Sequence, residues 1–198
     1  MPSKGLSNRI IIIKILRDCF NSQSQLNVIY AQYFESHDLS ELDRRFIVNV
    51  SRGTIRMLKR IDIELQHYSK KNINKFELLY LSILRSAVYQ IKYMSNTPAY
   101  ATVSTSVDIT KKYFSKYTAF TNAVLRNVSN NEFSFKKPNI KSSVKDISIY
   151  YSHPEWLVDR WRKEFGYNLT VKLLESNNSV QNVLFRYSKN KIELSAIE

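Results

Sequence analysis

Apolar residues recur at intervals of three and four along most of this chain, the spacing that lines one face of an α-helix. From Ser7 to Phe34 the pattern predicts two helices. Ile10, Ile13, Leu16 and Phe20 form the first stripe, a polar break spans Asn21 to Ser24, and Leu26, Ile29, Tyr30 and Tyr33 resume it. Ser40 is a candidate N-cap for a third helix, with Glu41 and Asp43 in the first turn, where the positive end of the helix dipole favours acids. Leu42, Phe46, Val50, Gly53 and Met57 would share one face of it. A short fourth helix is predicted over Asp62 to Lys70. A fifth, from Phe76 to Met94, is apolar around most of its circumference and therefore needs neighbours on several sides. Thr97-Pro98 then fits an N-cap followed by Pro at the first helical position, opening a sixth helix to Phe114. A seventh runs from Tyr117 to Ser129.

Between Asn130 and Ser148 no period survives, and Asn, Ser, Lys and Pro138 dominate. Such a lapse marks a domain boundary. Beyond it, Pro154 to Phe165 and Leu169 to Ser176 read as two helices, and Val180 to Tyr187 with Ile192 to Leu194 as short strands lacking partners. The expected fold class is therefore all-α, a bundle of about seven helices, followed by a linker and a short incomplete α/β segment. In residue numbers this gives 5–130 for the bundle, 131–148 for the linker and 149–198 for the last piece.

Composition narrows the class. At 198 residues and 43% hydrophobic, the chain can bury one principal core. The single Cys19 excludes an internal disulfide, and its apolar neighbours Ile15, Leu16 and Phe20 predict a buried, inert thiol. No Cys/His group has zinc-ligand spacing, so no metal is expected. The apolar run Ile10 to Ile13 is interrupted by Lys14 and Arg17 and falls far short of a membrane span, so a cytoplasmic protein without a membrane partner is expected.

Charge supplies the first functional clue. The net charge is +13, with 19 basic and 9 acidic residues up to Asn130 and 11 and 8 beyond it. Arg44, Arg45, Arg52, Arg56 and Lys59 fall on one stripe at about 100° per residue, and no acid intervenes before Arg60. Lys111, Lys112 and Lys116 would extend this surface, and Arg126 adds a cation on the seventh helix. With Arg60 included, the set from Arg44 to Arg60 either neutralises RNA phosphates, faces solvent, or meets another domain. Asn122 reads as a hydrogen-bonding residue inside the bundle, Gly53 as a point of close helix packing, and His153 as a turn residue. Trp156 and Trp161 read as anchors of their helix on the main bundle.

Several segments resemble a known family. Glu41-Leu42-Asp43-Arg44-Arg45-Phe46, Ser51-Arg52-Gly53-Thr54-Ile55-Arg56, Leu84-Arg85-Ser86-Ala87-Val88-Tyr89-Gln90-Ile91 and Pro98-Ala99-Tyr100-Ala101-Thr102-Val103 resemble, in order and spacing, segments of the NusB-like helical fold. Phe120-Thr121-Asn122-Ala123-Val124-Leu125-Arg126 resembles the last helix in its methyltransferase branch, which carries Asn-Ala-Val-Leu-Arg where antitermination factors carry Asn-Gly-Val-Leu-Asp. Ser104, Thr105 and Ser106 depart from the usual Asn-Glu-Ala. Tyr151-Ser152-His153-Pro154-Glu155-Trp156-Leu157-Val158 resembles the linker ahead of the catalytic domain in bacterial 16S rRNA cytosine-5 methyltransferases of the RsmB (Sun/Fmu) type.

The resemblance implies an RNA-binding front part of such an enzyme, gripping 16S ribosomal RNA for a separate or missing methyltransferase domain. S-adenosylmethionine is implied for the full-length family only. Here Gly5, Gly53 and Gly166 are scattered and form no glycine-rich loop, so neither cofactor binding nor catalysis is expected of this chain alone. A stand-alone antitermination or ribosome-assembly factor is the alternative, and a protein-interaction bundle without an RNA role is a third.

Overall fold

A computed structural model describes residues 4–22 and 24–179. They form nine α-helices: α1 (Lys4–Asn21), α2 (Leu26–Glu35), α3 (Glu41–Arg56), α4 (Leu58–Ser69), α5 (Leu78–Tyr93), α6 (Ala99–Tyr113), α7 (Thr118–Asn130), α8 (Val144–Tyr151) and α9 (Glu155–Asn178). Two short 3-10 turns, Ile73–Lys75 and Ser115–Tyr117, precede α5 and α7. No strand occurs among the described residues, and the strands expected over Val180 to Tyr187 and Ile192 to Leu194 lie outside them.

The expected central helix is α5. Tyr80 to Val88 and Gln90 are all buried on it, and α1, α3, α4, α6 and α7 pack around it. On one side Ile61, Leu65, Leu84, Val124 and Leu125 build the larger core; on the other, Ile12, Leu16, Ile29, Ile47 and Val50 join α1, α2 and α3. Cys19 is half-buried against this second core. A separate small cluster, Ile147, Tyr151, Val158 and Leu174, holds α8 to α9.

Ser40 caps α3 as the sequence predicts. Its hydroxyl accepts from the Asp43 N–H, while the Asp43 carboxylate accepts from the Ser40 N–H at 3.3 Å. The same carboxylate accepts from Asn8 Nδ2 at 2.7 Å, which ties α1 to the start of α3. Gly53 lets α3 approach α5: a Cβ there would lie 1.9 Å from the Tyr89 ring. The apolar face differs from expectation at its first position, since Leu42 is 75% exposed and Ile47 is buried in its place.

Two boundaries shift, and one helix is unforeseen. The third helix breaks at Met57 (φ −95°, ψ 14°), so α4 starts at Leu58, four residues before the sequence pattern suggests. No Gly or Pro announces that break. Pro98 (φ −59°, ψ 129°) is the N-cap of α6 rather than its first residue. Helix α8, Val144–Tyr151, is the unforeseen one: it begins inside the stretch read as linker, where Ser143 and Asp146 form a reciprocal cap that one turn of apolar spacing does not reveal. The two helices expected after Pro154 are both present, as the two arms of α9 on either side of Gly166, whose non-helical φ of 70° and ψ of 176° suit glycine alone. Trp161 packs into the α8–α9 cluster and Trp156 is 66% exposed, so neither anchors α9 to the main bundle as expected.

Candidate nucleic-acid interface

The cations that the sequence groups on one stripe fall into separate places. Helix α3 presents Arg44, Arg45, Arg52 and Arg56, all exposed. The Arg44 guanidinium lies 5.5 Å from the Phe34 ring centroid and that of Arg52 lies 5.7 Å from Tyr30. Both rings belong to α2. Arg52 also donates to Asn27 Oδ1 at 2.9 Å, and Tyr30 is held from below by its 2.7 Å hydroxyl contact with Ser51. Aromatic faces thus fix two guanidinium groups without neutralising them. Arg45 pairs with Glu41 one turn earlier, an exposed contact worth only a few tenths of a kcal/mol, about 0.3–0.5. Glu35 and Asp38 line an open hollow beside Arg44, so the positive field strengthens toward Arg52 and Arg56.

Behind this face, Asp18 is consumed locally. It accepts from Arg17 Nε at 2.7 Å and from the Tyr33 hydroxyl at 2.6 Å. Burial and that donated bond push the Tyr33 phenol up to about 12.

Lys59 and Arg60 leave the stripe, because the break at Met57 starts a new helix axis. The Lys59 N–H, one of the unpaired donors in the first turn of α4, is capped by Ser152 Oγ at 3.2 Å. Its ammonium lies 3.8 Å from Glu155. Arg60 Nη1 donates to the Tyr150 carbonyl at 3.1 Å, and its guanidinium lies 4.3 Å from the Phe135 centroid and 5.3 Å from that of Tyr150. Ser152 is left-handed (φ 55°, ψ 45°), which turns the chain sharply between α8 and α9. His153 completes that turn: its N–H donates to the Ser148 carbonyl at 3.0 Å. The segment Tyr150 to Glu155 is therefore a docking turn on the start of α4.

Lys111, Lys112 and Lys116 do not extend the α3 surface either. They are exposed, Lys111 and Lys112 in the last turn of α6 and Lys116 in the 3-10 turn that follows it. Arg126 lies in a groove of about 440 Å³ between α6 and α7 with Tyr100, Ser104, Asp108 and Asn122. Tyr100 is 79% exposed there. The Asn122 side chain makes no hydrogen bond among the described residues, so the expected bond inside the bundle is not formed; its neighbour Thr121 makes one, with the Tyr80 hydroxyl at 2.8 Å. Sequence reasoning singled out Asn122 and Arg126 but missed that they share a groove with Tyr100, since α6 and α7 come together only in the fold.

Among the described residues no group of three His, Cys, Asp or Glu is placed to hold a metal, and no helix is long and apolar enough to cross a membrane. The three glycines lie on three separate helices, and the space above Gly53 is filled by Tyr89. Burial pushes the Cys19 thiol up, away from a reactive thiolate.

The first seven helices form one all-α bundle wrapped on a buried central helix, with arginines displayed on aromatic faces. The NusB family model matches residues 6–130, which are those seven helices, and the chain belongs to that family. Two kinds of relatives are similar to it. The probable ribosomal RNA small subunit methyltransferase B of Synechocystis is 28% identical over 195 residues, covering 98% of this chain and 43% of the relative. That of Bacillus subtilis is 28% identical over 172 residues, covering 86% and 38%. The transcription antitermination protein NusB of Clostridium acetobutylicum is 25% identical over 125 residues, 62% of this chain but 93% of the relative. The chain thus spans about two fifths of the length of those methyltransferase relatives. Among solved structures, PH0851 superposes with a TM-score of 0.69 at 16% identity over 91% of this chain and 40% of that one. The Thermotoga maritima NusB superposes with a TM-score of 0.58 at 21% identity over 67% and 94%. Both likenesses concern the fold.

Proposed function

We propose that this chain is the RNA-binding front part of a 16S rRNA (cytosine-5) methyltransferase, holding ribosomal RNA for a catalytic domain. One observation carries the choice: similarity to the methyltransferases continues through α8 and α9, whereas similarity to the antitermination protein spans 62% of the chain. The segment that continues is the one seated on Lys59 and Arg60.

In this reading Arg44, Arg45, Arg52 and Arg56 neutralise phosphates, with Lys111, Lys112, Lys116 and Arg126 as further cations. Arginine suits the task because its planar fork meets two phosphate oxygens at once and stacks on aromatic faces. The docking turn Tyr150 to Glu155 holds α9 in one orientation relative to that surface. A catalytic domain joined through α9 is thereby aimed relative to the RNA. The described residues offer no cradle for S-adenosylmethionine, and no step is assigned to it. The alternative, a stand-alone antitermination or ribosome-assembly factor, is favoured by the near-complete coverage of the antitermination relative.

The test uses methyl transfer to 16S rRNA by the separately expressed catalytic region of the Bacillus subtilis relative. Added wild-type chain is expected to raise transfer, and a folded Arg45→Glu, Arg52→Glu, Arg56→Glu variant, binding an rRNA hairpin more than about tenfold more weakly, is expected not to. Tight, salt-sensitive RNA binding without any stimulation would favour the alternative. Unchanged RNA affinity in the folded variant would remove α3 from the interface.

A further inference from the structure

Beyond α4, away from the α3 arginines, lies a cation cluster of another kind. There the segment after α4 meets the second 3-10 turn and the start of α7. Lys70 and Lys71 follow α4, Lys75 closes the first 3-10 turn, Lys111 and Lys112 lie in the last turn of α6, and Lys116 lies in the second 3-10 turn. All six are exposed, and among the described residues none has a carboxylate within 4.0 Å. A half-buried aromatic cluster joins the two stretches through Lys71 and Lys116. The Phe76 ring lies 5.8 Å from both Tyr117 and Phe120, the Lys71 ammonium sits 4.6 Å over Phe120, and the Lys116 ammonium sits 5.0 Å over Tyr117. The rings hold lysines from two distant stretches of chain as one surface.

The modest explanation is that lysines collect at helix C-termini to offset the dipoles. Magnitudes decide against it as a full account. Each helix end contributes about −0.5 charge, so two ends offset about one of six positive charges. Glu77, exposed beside Phe76, offsets about one more. An unneutralised excess of about four remains on one small end of the molecule, and like charges kept together at that density destabilise the free protein. An anionic partner relieves the repulsion.

We infer that this lysine end is a second RNA contact, gripping a stretch of sugar-phosphate backbone away from the one met by α3. It rests on the RNA-binding reading above. Helix α4 separates the two surfaces, and its 12 residues span about 18 Å, so one RNA must pass along the bundle to reach both. Lysine fits such a non-specific hold: a point charge on a flexible stem follows a phosphate backbone without demanding a fixed geometry. RNA is favoured over an anionic membrane because Lys71, Lys112 and Lys116 lie over the Phe120, Tyr113 and Tyr117 rings, which puts charge rather than an apolar wedge at the surface.

The experiment measures binding of the full chain to a 16S rRNA transcript over a salt series. Lys71→Gln, Lys75→Gln and Lys116→Gln together are expected to weaken binding about tenfold or more. They should also make the slope of log K against log salt less negative by about 2, since each phosphate contact contributes about 0.7–0.9. Bound RNA is further expected to shield Lys71, Lys75 and Lys116 from acetylation, with Lys163, which pairs with Asp159 on α9, as the unshielded control. Wild-type affinity and slope in the lysine variant, with the α3 variant impaired, would overturn the second contact and leave the first intact. Wild-type binding by both variants would overturn the RNA reading as a whole. Binding to phosphatidylserine vesicles that depends on these lysines, with RNA binding unaffected, would reassign the surface to membranes and overturn the inference.

Discussion

Arg56 and Arg60 stand four positions apart with no acid between them, yet they end in opposite circumstances. Arg56 is exposed on the last turn of α3. Arg60 is sandwiched between Phe135 and Tyr150 and bonded to a backbone carbonyl from a segment ninety positions away. Arg85 goes further: at 8% exposure it makes a two-bond fork to Asp62, at 2.8 and 2.7 Å, over the Phe20 ring. A guanidinium belongs to an interface or to the framework according to what the fold brings beside it, and charge patterning along one helix is blind to that.

Replacing each grade of arginine sharpens the contrast. Arg85→Ala is expected to cause the largest loss of stability, about 2–4 kcal/mol, because it strands the half-buried Asp62 carboxylate. The value sits below the full cost of breaking a buried pair because Asp62 retains 26% side-chain exposure and solvent screens it. Urea denaturation of the full chain measures it. A loss below 0.5 kcal/mol, about that of a surface substitution, would mean the fork contributes nothing beyond its neighbours.

Arg60→Ala comes next, at about 1–2 kcal/mol for one charged hydrogen bond and two cation–π contacts. Its more telling effect is local. The linker loses its clasp on α4, so limited proteolysis is expected to accelerate between Glu132 and Ser143 while the bundle core resists. The RNA affinity of the α3 face should stay within about twofold, since Arg60 is turned away from it. Equal loss of RNA binding in Arg60→Ala and in Arg56→Ala would erase the distinction between framework and interface.

How much of this was legible in the sequence depends on the range of the interactions. Seven helices, the Ser40 cap, the central role of α5 and the close approach at Gly53 were legible because each rests on spacing within one element or on a residue type with few uses. The cation surface was legible only as composition. The break at Met57 carries no Gly or Pro, so a stripe drawn from Arg44 through Lys59 crosses two helix axes. The cap that Ser152 provides to Lys59 spans more than ninety positions, and the lysine end depends on Phe76, Tyr117 and Phe120 meeting. Nothing in the local pattern of either segment announces those encounters.

The smallest expected effect tests the corner that holds Arg60 from its acidic side. Glu64 is 3% exposed, and burial pushes its carboxyl above the usual range despite the Lys92 ammonium at 3.3 Å and the nearby Arg60. A carboxyl raised in the folded state binds its proton more readily there than in the unfolded chain. Between the ordinary value of 4.5 and the raised one, the native state therefore holds more protons. Its contribution to stability is fully present below 4.5 and declines as pH rises through the folded value. Glu64→Gln keeps the shape and removes the titration. The wild type is expected to gain melting temperature relative to this variant when the buffer is changed from pH 7 to pH 5. At pH 7 the variant should be about as stable, because Lys92 keeps its 2.8 Å bond to the Asn131 carbonyl. Parallel melting curves across that interval would show that Glu64 titrates alike in both states, and that Arg60 and Lys92 offset the cost of burying it.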